Sequence, residues 1–329
     1  MPTITYRQAL NETLREELRR DERVVLMGEE IGLFEGSYKV TAGLLQEFGP
    51  NRIIDTPIAE EGFVGMAAGA AMIGLRPVVE IMTINFSLLA IDQMVNHAAK
   101  IHYMFGGQAR VPMVLRTPGG GGQQLAATHS QNFEAWYAYV PGLKVLAPST
   151  PYDARGMLRS AIRDDDPVVF LENLALYNTK GDVPENGDYT VPIGVAEVKK
   201  TGSDITIIAY SRMTVLALDV ARRLEDEGIS AEVVDLRSLR PLDKPTIIES
   251  VRKTNRAVIA EEDWRSYGIG AEIAATIQEE AFDYLDAPVL RVAGVEVPLP
   301  YSKVLERAAL PSAQHLIDSI HKTLHGTRR

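Results

Sequence analysis

Short apolar strand segments alternate with amphipathic helical segments along most of this chain, and this alternation limits the fold more than any other feature. One series runs from residue 3 to about residue 171, and a second series begins at Asp204. Strands that alternate with helices form parallel sheets that carry helices on both faces. The sequence therefore predicts an α/β fold of two domains, each with a mainly parallel sheet flanked by helices.

A stretch rich in Lys, Gly, Pro and Asp separates the two series, from Asn178 to about Val191. This composition is typical of a linker. The chain has 329 residues, which is enough for two domains of ordinary size. We predict a first domain over residues 1–185, a linker over 186–203 and a second domain over 204–329.

The composition argues against several classes of function. The net charge of −10 argues against a nucleic-acid partner, because phosphate binding needs clustered Lys and Arg. The chain has no cysteine, so thiolate nucleophiles and disulfides are excluded. The first residues lack an apolar signal core, and the nearly uncharged run from Gly62 to Leu75 is shorter than the about 20 residues that span a bilayer. We expect a cytoplasmic protein that binds neither nucleic acid nor membrane.

The run from Gly62 to Leu75 is predicted to be a helix with one glycine face. Gly62, Gly65 and Gly69 recur three and four residues apart, which places them on the same side of a helix. Glycine costs roughly 1 kcal/mol relative to alanine inside a helix, so these glycines are expected to allow close helix–helix contact. Because the run has no polar face, we expect the helix to be buried all round and to end at Gly74.

A carboxylate pair, Glu60 and Glu61, precedes this helix. Pro57 and the two acids fit a helix start, where carboxylates meet free N–H groups and the positive end of the helix dipole. Glu60 can therefore be a helix cap. It can also be a carboxylate in an apolar pocket, where desolvation raises the pKa and suits the group to acid–base chemistry. The local sequence leaves both interpretations open.

Glu29 and His129 are two further candidates for chemistry. Glu29 follows a buried strand, at the position where α/β sheets place their sites, although a solvated loop explains it equally well. His129 follows four consecutive glycines, Gly119 to Gly122, which predict a flexible loop. Histidine there suits acid–base catalysis, and a surface histidine is the alternative.

Two other features have an ordinary explanation beside a functional one. Met82 and Phe86 flank a turn, and such residues usually belong to the core. Arg163-Asp164-Asp165-Asp166 lies between a predicted helix and a strand. It is either a plain acidic turn or a cation site built from carbonyl and carboxylate oxygens.

Several motifs together resemble the beta subunits of thiamine-diphosphate 2-oxo acid dehydrogenases, and within that family the pyruvate dehydrogenases most of all. They are GEE at 28–30, RIIDTPIAEEGFVGMAAGAAMIGLRPVVE at 52–80, INFSLLAIDQMVNHAAK at 84–100, ATHSQ at 127–131, PGLKVLAPSTPYDARGMLRSAIRDDDPVVFLE at 141–172 and LRSLRPLD at 236–243. The resemblance covers essentially the whole chain in one register.

The resemblance implies a transketolase-like fold, with a pyrimidine-binding domain over 1–185 and a transketolase C-terminal domain over 204–329. Thiamine-diphosphate enzymes hold the diphosphate and its magnesium on a GDG…N motif, and no GDG occurs here. This absence is expected if a separate alpha subunit holds the diphosphate and the magnesium. The implied assembly is an alpha2beta2 heterotetramer in which the beta chain is active only with its alpha subunit.

The resemblance also implies roles for individual residues. Glu60 would hydrogen-bond the pyrimidine ring of thiamine diphosphate, a role that a buried carboxylate suits because it can share a proton with a ring nitrogen. The residues that would line the ring are Ile58, Met82 and Phe86. His129 would assist proton transfer while the acyl group moves to lipoamide, and Glu29 would relay protons between active sites.

A potassium site is implied at the acidic turn. Its candidate ligands are Met113, Ala161, Ile162, Asp164 and Asp166. Relatives can have Asn at the position of Asp166, which sets this chain apart from them.

The implied function is oxidative decarboxylation of pyruvate with reductive acetylation of lipoyl groups on a dihydrolipoamide acyltransferase core. Branched-chain 2-oxo acid and acetoin dehydrogenase beta subunits are alternatives, because small pocket differences and the alpha chain set the substrate. A non-catalytic assembly subunit is a further alternative, against which Glu60 and His129 argue. Such a complex would take part in acetyl-CoA biosynthesis, using the pyruvate that glycolysis produces.

Overall fold

A computed structural model describes residues 1–184 and 188–326. The chain forms two compact units, and each is built from two segments. The first unit contains residues 1–119 and 136–193, and the second contains residues 120–135 and those from 194 onward. No sequence pattern predicts that the short segment 120–135 joins the second unit. The predicted domain boundaries stay a prediction, and the boundary at 185/186 lies outside the described residues.

The elements up to residue 182 mostly alternate between strand and helix. In chain order they are β1 (Thr3–Thr5), α1 (Tyr6–Arg20), β2 (Val24–Gly28), α2 (Leu44–Phe48), β3 (Ile53–Asp55), α3 (Glu60–Met72), β4 (Arg76–Glu80), a 3-10 helix (Ile84–Ala90), a π-helix (Gln93–Ala98), α4 (Ala99–Met104), β5 (Val114–Gly119), α5 (Glu134–Ala138), β6 (Lys144–Leu146), α6 (Pro151–Arg163), β7 (Val168–Asn173), a 3-10 helix (Leu174–Leu176) and β8 (Lys180–Asp182).

Six strands of the first unit form a parallel sheet in the order β6-β7-β5-β4-β2-β3. Every residue of β2, β5 and β7 is buried, as expected for a parallel sheet with both faces covered. β2 lies between β3 and β4, and Gly28 at its end is in register with Asp55 and Glu80. The carboxyl ends of these three strands therefore meet at one edge of the sheet.

The first helix begins as its sequence predicts. The Thr5 hydroxyl accepts a hydrogen bond from the Gln8 N–H at 3.2 Å, and the Gln8 side chain accepts one from the Thr5 N–H at 2.8 Å. This reciprocal pair is a capping box, which satisfies two amide groups that the helix leaves unpaired. α1 then packs against α6.

Two elements of the first unit differ from their predicted form. The sequence predicts a single helix from Ser87 to about Tyr103, but the structure divides this stretch into a 3-10 helix, a π-helix and α4. The apolar run at 111–115 predicts a strand that ends before Arg116, but the strand runs from Val114 to Gly119. Arg116 is buried and paired with carboxylates, so the strand continues through it.

The second unit repeats the alternation of strand and helix. Its elements are β9 (Glu197–Lys200), β10 (Ile205–Ala209), α7 (Ser211–Glu225), β11 (Ala231–Asp235), β12 (Ser238–Arg240), α8 (Lys244–Thr254), β13 (Ala257–Trp264), α9 (Ile269–Ala281), a 3-10 helix (Phe282–Tyr284), β14 (Leu290–Gly294), α10 (Lys303–Ala309) and α11 (Ala313–His325).

A five-stranded sheet forms the centre of the second unit, in the order β14-β13-β10-β11-β9. All pairs are parallel except β11 with β9. Apolar residues of β10, α7 and α11 make one buried core against this sheet. The predicted fold class, two mainly parallel sheets flanked by helices, is confirmed. Within the two described ranges, no helix is both long and apolar enough to cross a bilayer.

Candidate functional site

The residues predicted to bind a cofactor ring lie at the carboxyl edge of the first sheet, together with Glu29, the predicted proton relay. Glu29 directly follows β2, Ile58 and Glu60 follow β3, and Met82 and Phe86 follow β4. Because β3, β2 and β4 are adjacent parallel strands, these positions share one end of the sheet. Open α/β sheets bind their ligands at that end.

Glu60 is the first residue of α3 and is buried, with 3% of its surface exposed. The N-cap position belongs to Ala59, which makes no side-chain capping bond. Glu61, the next residue, is exposed. Glu60 is therefore a buried carboxylate in the first turn of a helix, where the helix dipole favours negative charge.

Glu29 is a second buried carboxylate beside Glu60. Burial first, and then the charge of Glu60, raises the pKa of Glu29 from its usual 4.5 to about 7. Among the described residues, no donor reaches Glu29 Oε1, although that atom is buried. A buried acceptor without a donor is costly, so this edge of the sheet suits a ligand that carries N–H or O–H groups.

Apolar side chains accompany the two acids. Ile58 is 82% exposed, and Met82 and Phe86 are half-buried. Apolar groups that remain accessible at the same end of the sheet as two buried carboxylates fit a flat aromatic ring that can share a proton with an acid. The groups present therefore fit the pyrimidine end of thiamine diphosphate.

Asp55 fixes the segment that follows Glu29. Its carboxylate accepts hydrogen bonds from the Gly32 N–H at 2.6 Å and the Leu33 N–H at 3.1 Å. A Cβ atom on Gly32 would lie 2.8 Å from Asp55 Oδ2, so a larger residue there would displace the Asp55 carboxylate. This anchoring holds the backbone between β2 and α2 against the end of β3.

A buried ion network joins the strands next to this edge. Arg116 on β5 pairs with Glu80 on β4, and its Nη2 donates to Glu172 Oε2 on β7 at 2.8 Å. The Tyr177 hydroxyl also donates to Glu172. Burial opposes the charge of Arg116, but Glu172 and Glu80 outweigh it and raise its pKa. Sequence analysis missed this network because its members are far apart in the chain.

The acidic turn with the predicted potassium ligands binds cations of the protein itself. Lys144 Nζ lies 2.7 Å from Asp164 Oδ1 and 3.0 Å from Asp166 Oδ2. Burial opposes its charge, but the two aspartates raise the pKa of Lys144. Arg76 Nη1 donates to the backbone carbonyls of Ile162 at 3.0 Å and Asp164 at 2.8 Å.

The remaining carbonyl groups of the predicted potassium site accept backbone hydrogen bonds. The Met113 carbonyl accepts from the Val168 N–H at 2.9 Å, and the Ala161 carbonyl accepts from the Asp164 N–H at 3.3 Å. The potassium site stays a prediction: its two aspartates pair with Lys144, its carbonyl groups accept hydrogen bonds within the chain, and we assign no step to a metal ion.

His129 belongs to the second unit and is described within it. Its side chain is exposed, and the Thr128 hydroxyl oxygen lies 3.0 Å from Nδ1. The His129 N–H donates to the Ala126 carbonyl at 3.2 Å. The preceding glycines were expected to form a flexible loop, but Gly121 and Gly122 donate their N–H groups to carboxylates.

The second unit also contains buried acids that sequence analysis did not single out. Burial raises the pKa of Glu261 to about 7 and of Asp263 to about 6. Burial, and then the charge of Asp263, also raises the pKa of Glu134. The only sequence signal was the acidic run Glu261-Glu262-Asp263 near the end of β13. Throughout residues 1–184 and 188–326, no three His, Asp or Glu side chains could together hold a metal ion.

Comparison with protein-family models finds two matches along the chain. Residues 2–180 match the pyrimidine binding domain of transketolase. Residues 194–316 match the transketolase C-terminal domain. A solved structure described as "Split gene transketolase, inactive beta4 tetramer" superimposes with a TM-score of 0.79, at 26% identity and over 99% of both chains. The transketolase-like fold is thereby confirmed.

Several relatives are more than 50% identical over nearly the whole chain. The pyruvate dehydrogenase E1 component subunit beta of Rickettsia felis is 52% identical over 98% of both chains. The mitochondrial counterpart of Caenorhabditis elegans is 51% identical over 98% of this chain and 93% of its own. The mitochondrial subunit beta-2 of Oryza sativa subsp. japonica is 54% identical over 95% of this chain and 84% of its own.

Proposed function

The chain belongs to the family of pyruvate dehydrogenase E1 component beta subunits, and from this we propose that it holds the pyrimidine end of thiamine diphosphate in an active site shared with an alpha subunit. The reaction is oxidative decarboxylation of pyruvate and transfer of the acetyl group to lipoyl groups of a dihydrolipoamide acyltransferase core. The buried pair Glu29 and Glu60 at the carboxyl edge of the first sheet is the observation that carries this proposal.

Glu60 is the proposed proton partner of the pyrimidine ring. A carboxylate that is buried at a helix start is fixed in place and poorly solvated, so it gains from a ligand N–H or N⁺–H group. When bound, thiamine diphosphate supplies the electron sink that lets a 2-oxo acid lose carbon dioxide. Ile58, Met82 and Phe86 would orient the ring and keep water away from the acid.

Glu29 and His129 have proposed proton-transfer roles. Glu29, whose pKa is raised to about 7, can gain and lose a proton near neutral pH, as a relay requires. His129 would give or take a proton while the acetyl group moves to the lipoyl sulfur. Magnesium and the diphosphate would be held by the alpha subunit, since this chain has no GDG motif.

An exposed apolar face on α3 supports the proposed alpha subunit as a partner. Met66 is 49% exposed, Met72 39% and Ile73 84%, and Gly69 between them is also exposed. The helix was expected to be buried all round, but in this chain only one side is covered. An exposed apolar helix face with a glycine fits close packing against another subunit. An alpha2beta2 assembly would cover it.

One assay tests the proposal and its alternatives. The chain is mixed with its alpha subunit, thiamine diphosphate and magnesium, and turnover of pyruvate, 2-oxoisovalerate and acetoin is compared. We expect pyruvate to be the preferred substrate. A preference for one of the other two would assign the chain to the branched-chain or acetoin enzymes, and no turnover in a correctly assembled complex would favour an assembly-only subunit.

Two neighbouring glutamates allow a matched test of the site. Glu60→Gln should lower turnover by about a hundredfold or more, because the amide cannot take up a proton. Glu61→Gln, one residue further along the same helix but exposed, should stay close to wild type. Sedimentation velocity shows whether both variants still assemble. Full activity of an assembled Glu60→Gln complex would remove Glu60 from the mechanism.

The cytoplasmic location of this protein stays a prediction. The similar proteins include bacterial proteins and mitochondrial ones.

A further inference from the structure

The segment 120–131, here called the glycine loop, is closed at its base by a backbone hydrogen bond. The Gly120 N–H donates to the Gln131 carbonyl at 3.3 Å. His129 lies near the end of this loop. Whatever fixes the backbone of the loop therefore also fixes the residue proposed to act in acetyl transfer.

Glu306 on α10 binds backbone amides in the first half of the glycine loop. It is 1% exposed, and its carboxylate accepts hydrogen bonds from the Gly122 N–H at 2.9 Å and the Gln124 N–H at 3.1 Å. The Gln124 N–H also reaches the second oxygen at 3.2 Å. Charge-assisted bonds to a buried carboxylate are among the strong hydrogen bonds of proteins.

Glu262 on β13 binds the backbone amide of Gly121, the residue before Gly122. Its Oε1 atom accepts a hydrogen bond from the Gly121 N–H at 2.7 Å, and Arg212 Nη1 lies 3.5 Å from the same oxygen. Glu262 is 7% exposed. Two buried carboxylates thus bind three amide groups within four consecutive residues.

The backbone of the glycine loop needs such an anchor. Gly122 has a φ of +95°, and Gln124 and Ala126 have φ values of +54° and +66° although they carry side chains. Left-handed conformations are unfavourable for residues other than glycine and persist only where contacts enforce them. The two carboxylates supply such contacts at Gly121, Gly122 and Gln124, and the Ala126 carbonyl accepts the His129 N–H.

Gly121 shows how tightly this segment is packed. A Cβ atom there would lie 2.7 Å from Leu299 Cδ1 and 2.9 Å from Leu310 Cδ2. The glycine run therefore allows the backbone to pass close to leucines while its amides face carboxylates. Because protein carboxylates already bind these amides, the run does not act as a phosphate cradle.

We propose that Glu262 and Glu306 are positioning residues, which hold the glycine loop so that His129 keeps a fixed place for acetyl transfer. The proposal rests on the role proposed above for His129. It gives the C-terminal part of the chain a direct influence on one half of the reaction. Neither glutamate needs to touch the substrate.

Hydrogen exchange tests the hydrogen bonds between the glycine loop and the two carboxylates without reference to activity. In the full chain, the amides of Gly121, Gly122 and Gln124 should be protected. In Glu306→Gln those of Gly122 and Gln124 should exchange about tenfold or more faster, because a neutral amide is a weaker acceptor than a carboxylate. Glu306→Asp, which keeps the charge, should restore part of the protection. Unchanged exchange in Glu306→Gln would overturn the proposal.

Glu232 offers a matched control. It is fully buried in the same unit, and its carboxylate accepts the Gly202 N–H at 3.3 Å and pairs with Lys253. Glu232→Gln removes a buried charge of the same kind but should leave exchange of the Gly122 and Gln124 amides as in wild type. Faster exchange of these two amides in Glu232→Gln would mean that the loss of any buried charge destabilises the unit. It would contradict a specific role of Glu306 in holding the glycine loop.

Enzyme assays on the complex with the alpha subunit test the consequence. Glu306→Gln and His129→Ala should both slow acetylation of a lipoyl domain by about tenfold or more, while dye-coupled pyruvate decarboxylation falls much less. Normal acetylation in Glu306→Gln, despite faster exchange, would overturn the positioning role. Normal acetylation in His129→Ala would instead overturn the role proposed for His129. The hydrogen-exchange result would show separately whether Glu306 holds the loop amides.

Discussion

Glu29 lowers the stability of the folded chain in a pH-dependent way, because it is buried next to another acid. Its pKa is about 7 in the folded chain and about 4.5 when unfolded. Between these values the folded state binds more protons than the unfolded state, so stability contributed by this group falls as pH rises. Below pH about 4.5 the group is neutral in both states, and above pH about 7 the full penalty is present.

Glu29→Gln should remove this pH dependence. The variant should unfold at a higher temperature than wild type near pH 8, and the difference should shrink as pH falls toward 5. Thermal unfolding of both proteins across this range measures it. A constant difference at every pH would show that Glu29 titrates normally, and Glu61→Gln serves as the exposed control.

Lys144 binds the acidic turn at which the potassium ion was predicted. Its ammonium group contacts both Asp164 and Asp166. The unfolding temperature of the chain should therefore be the same in KCl and in NaCl of equal ionic strength. Lys144→Met should unfold at a lower temperature, because it leaves two carboxylates without their cation. A specific stabilisation of the wild-type chain by potassium would contradict this assignment.

At the scale of elements, α3 is open on one side. A Cβ atom on Gly69 would meet nothing within 4 Å in this chain. Gly69→Ala should therefore stabilise the isolated chain by about 1 kcal/mol through helix propensity. Urea unfolding measures this gain, and a loss of stability would mean that the glycine has a role within the chain.

A larger side chain at the same position tests the proposed alpha-subunit contact. Gly69→Leu should fold, because the space above Gly69 is open in this chain. It should nevertheless fail to assemble with the alpha subunit if another backbone approaches there. Size-exclusion chromatography of the mixture, with Gly69→Ala as the conservative control, gives the answer. Normal assembly of Gly69→Leu would place the contact elsewhere.

The network around Arg116 joins three adjacent strands. Arg116→Met should destabilise the chain by about 3–5 kcal/mol, because Glu80 and Glu172 would stay buried without their counter-charge. Chemical denaturation measures the change. Arg23→Met is the control, since the Arg23 side chain is exposed and its loss should change stability much less than the loss of Arg116.

At the scale of the whole molecule, the chain should depend on its alpha subunit for turnover. The isolated chain should not decarboxylate pyruvate. Addition of the alpha subunit with thiamine diphosphate and magnesium should raise the unfolding temperature, because binding to the folded state stabilises it by about 2.7 kcal/mol at a hundredfold excess over Kd. Differential scanning calorimetry measures this shift. Turnover by the isolated chain would end the shared-site proposal.

The sequence alone determined the α/β class and most strand and helix positions, whereas the ring-binding candidates came from its resemblance to a known family. Hydrophobic periodicity and glycine punctuation are local signals, and Glu29, Ile58, Glu60, Met82 and Phe86 all follow predicted strands. Periodicity also indicates which side of a segment is apolar. It does not show whether that side is covered within the chain, which is why α3 was expected to be buried all round.

Only the tertiary structure decided where the buried charges have their partners. Arg116 meets Glu172 across 56 residues, Lys144 meets Asp164 across 20, and Gly122 meets Glu306 across 184. No local pattern encodes such pairs, because a buried charge is stable only where the fold brings its counter-charge or donor to it. The same reason explains why a run of glycines that reads as a flexible loop is held in place.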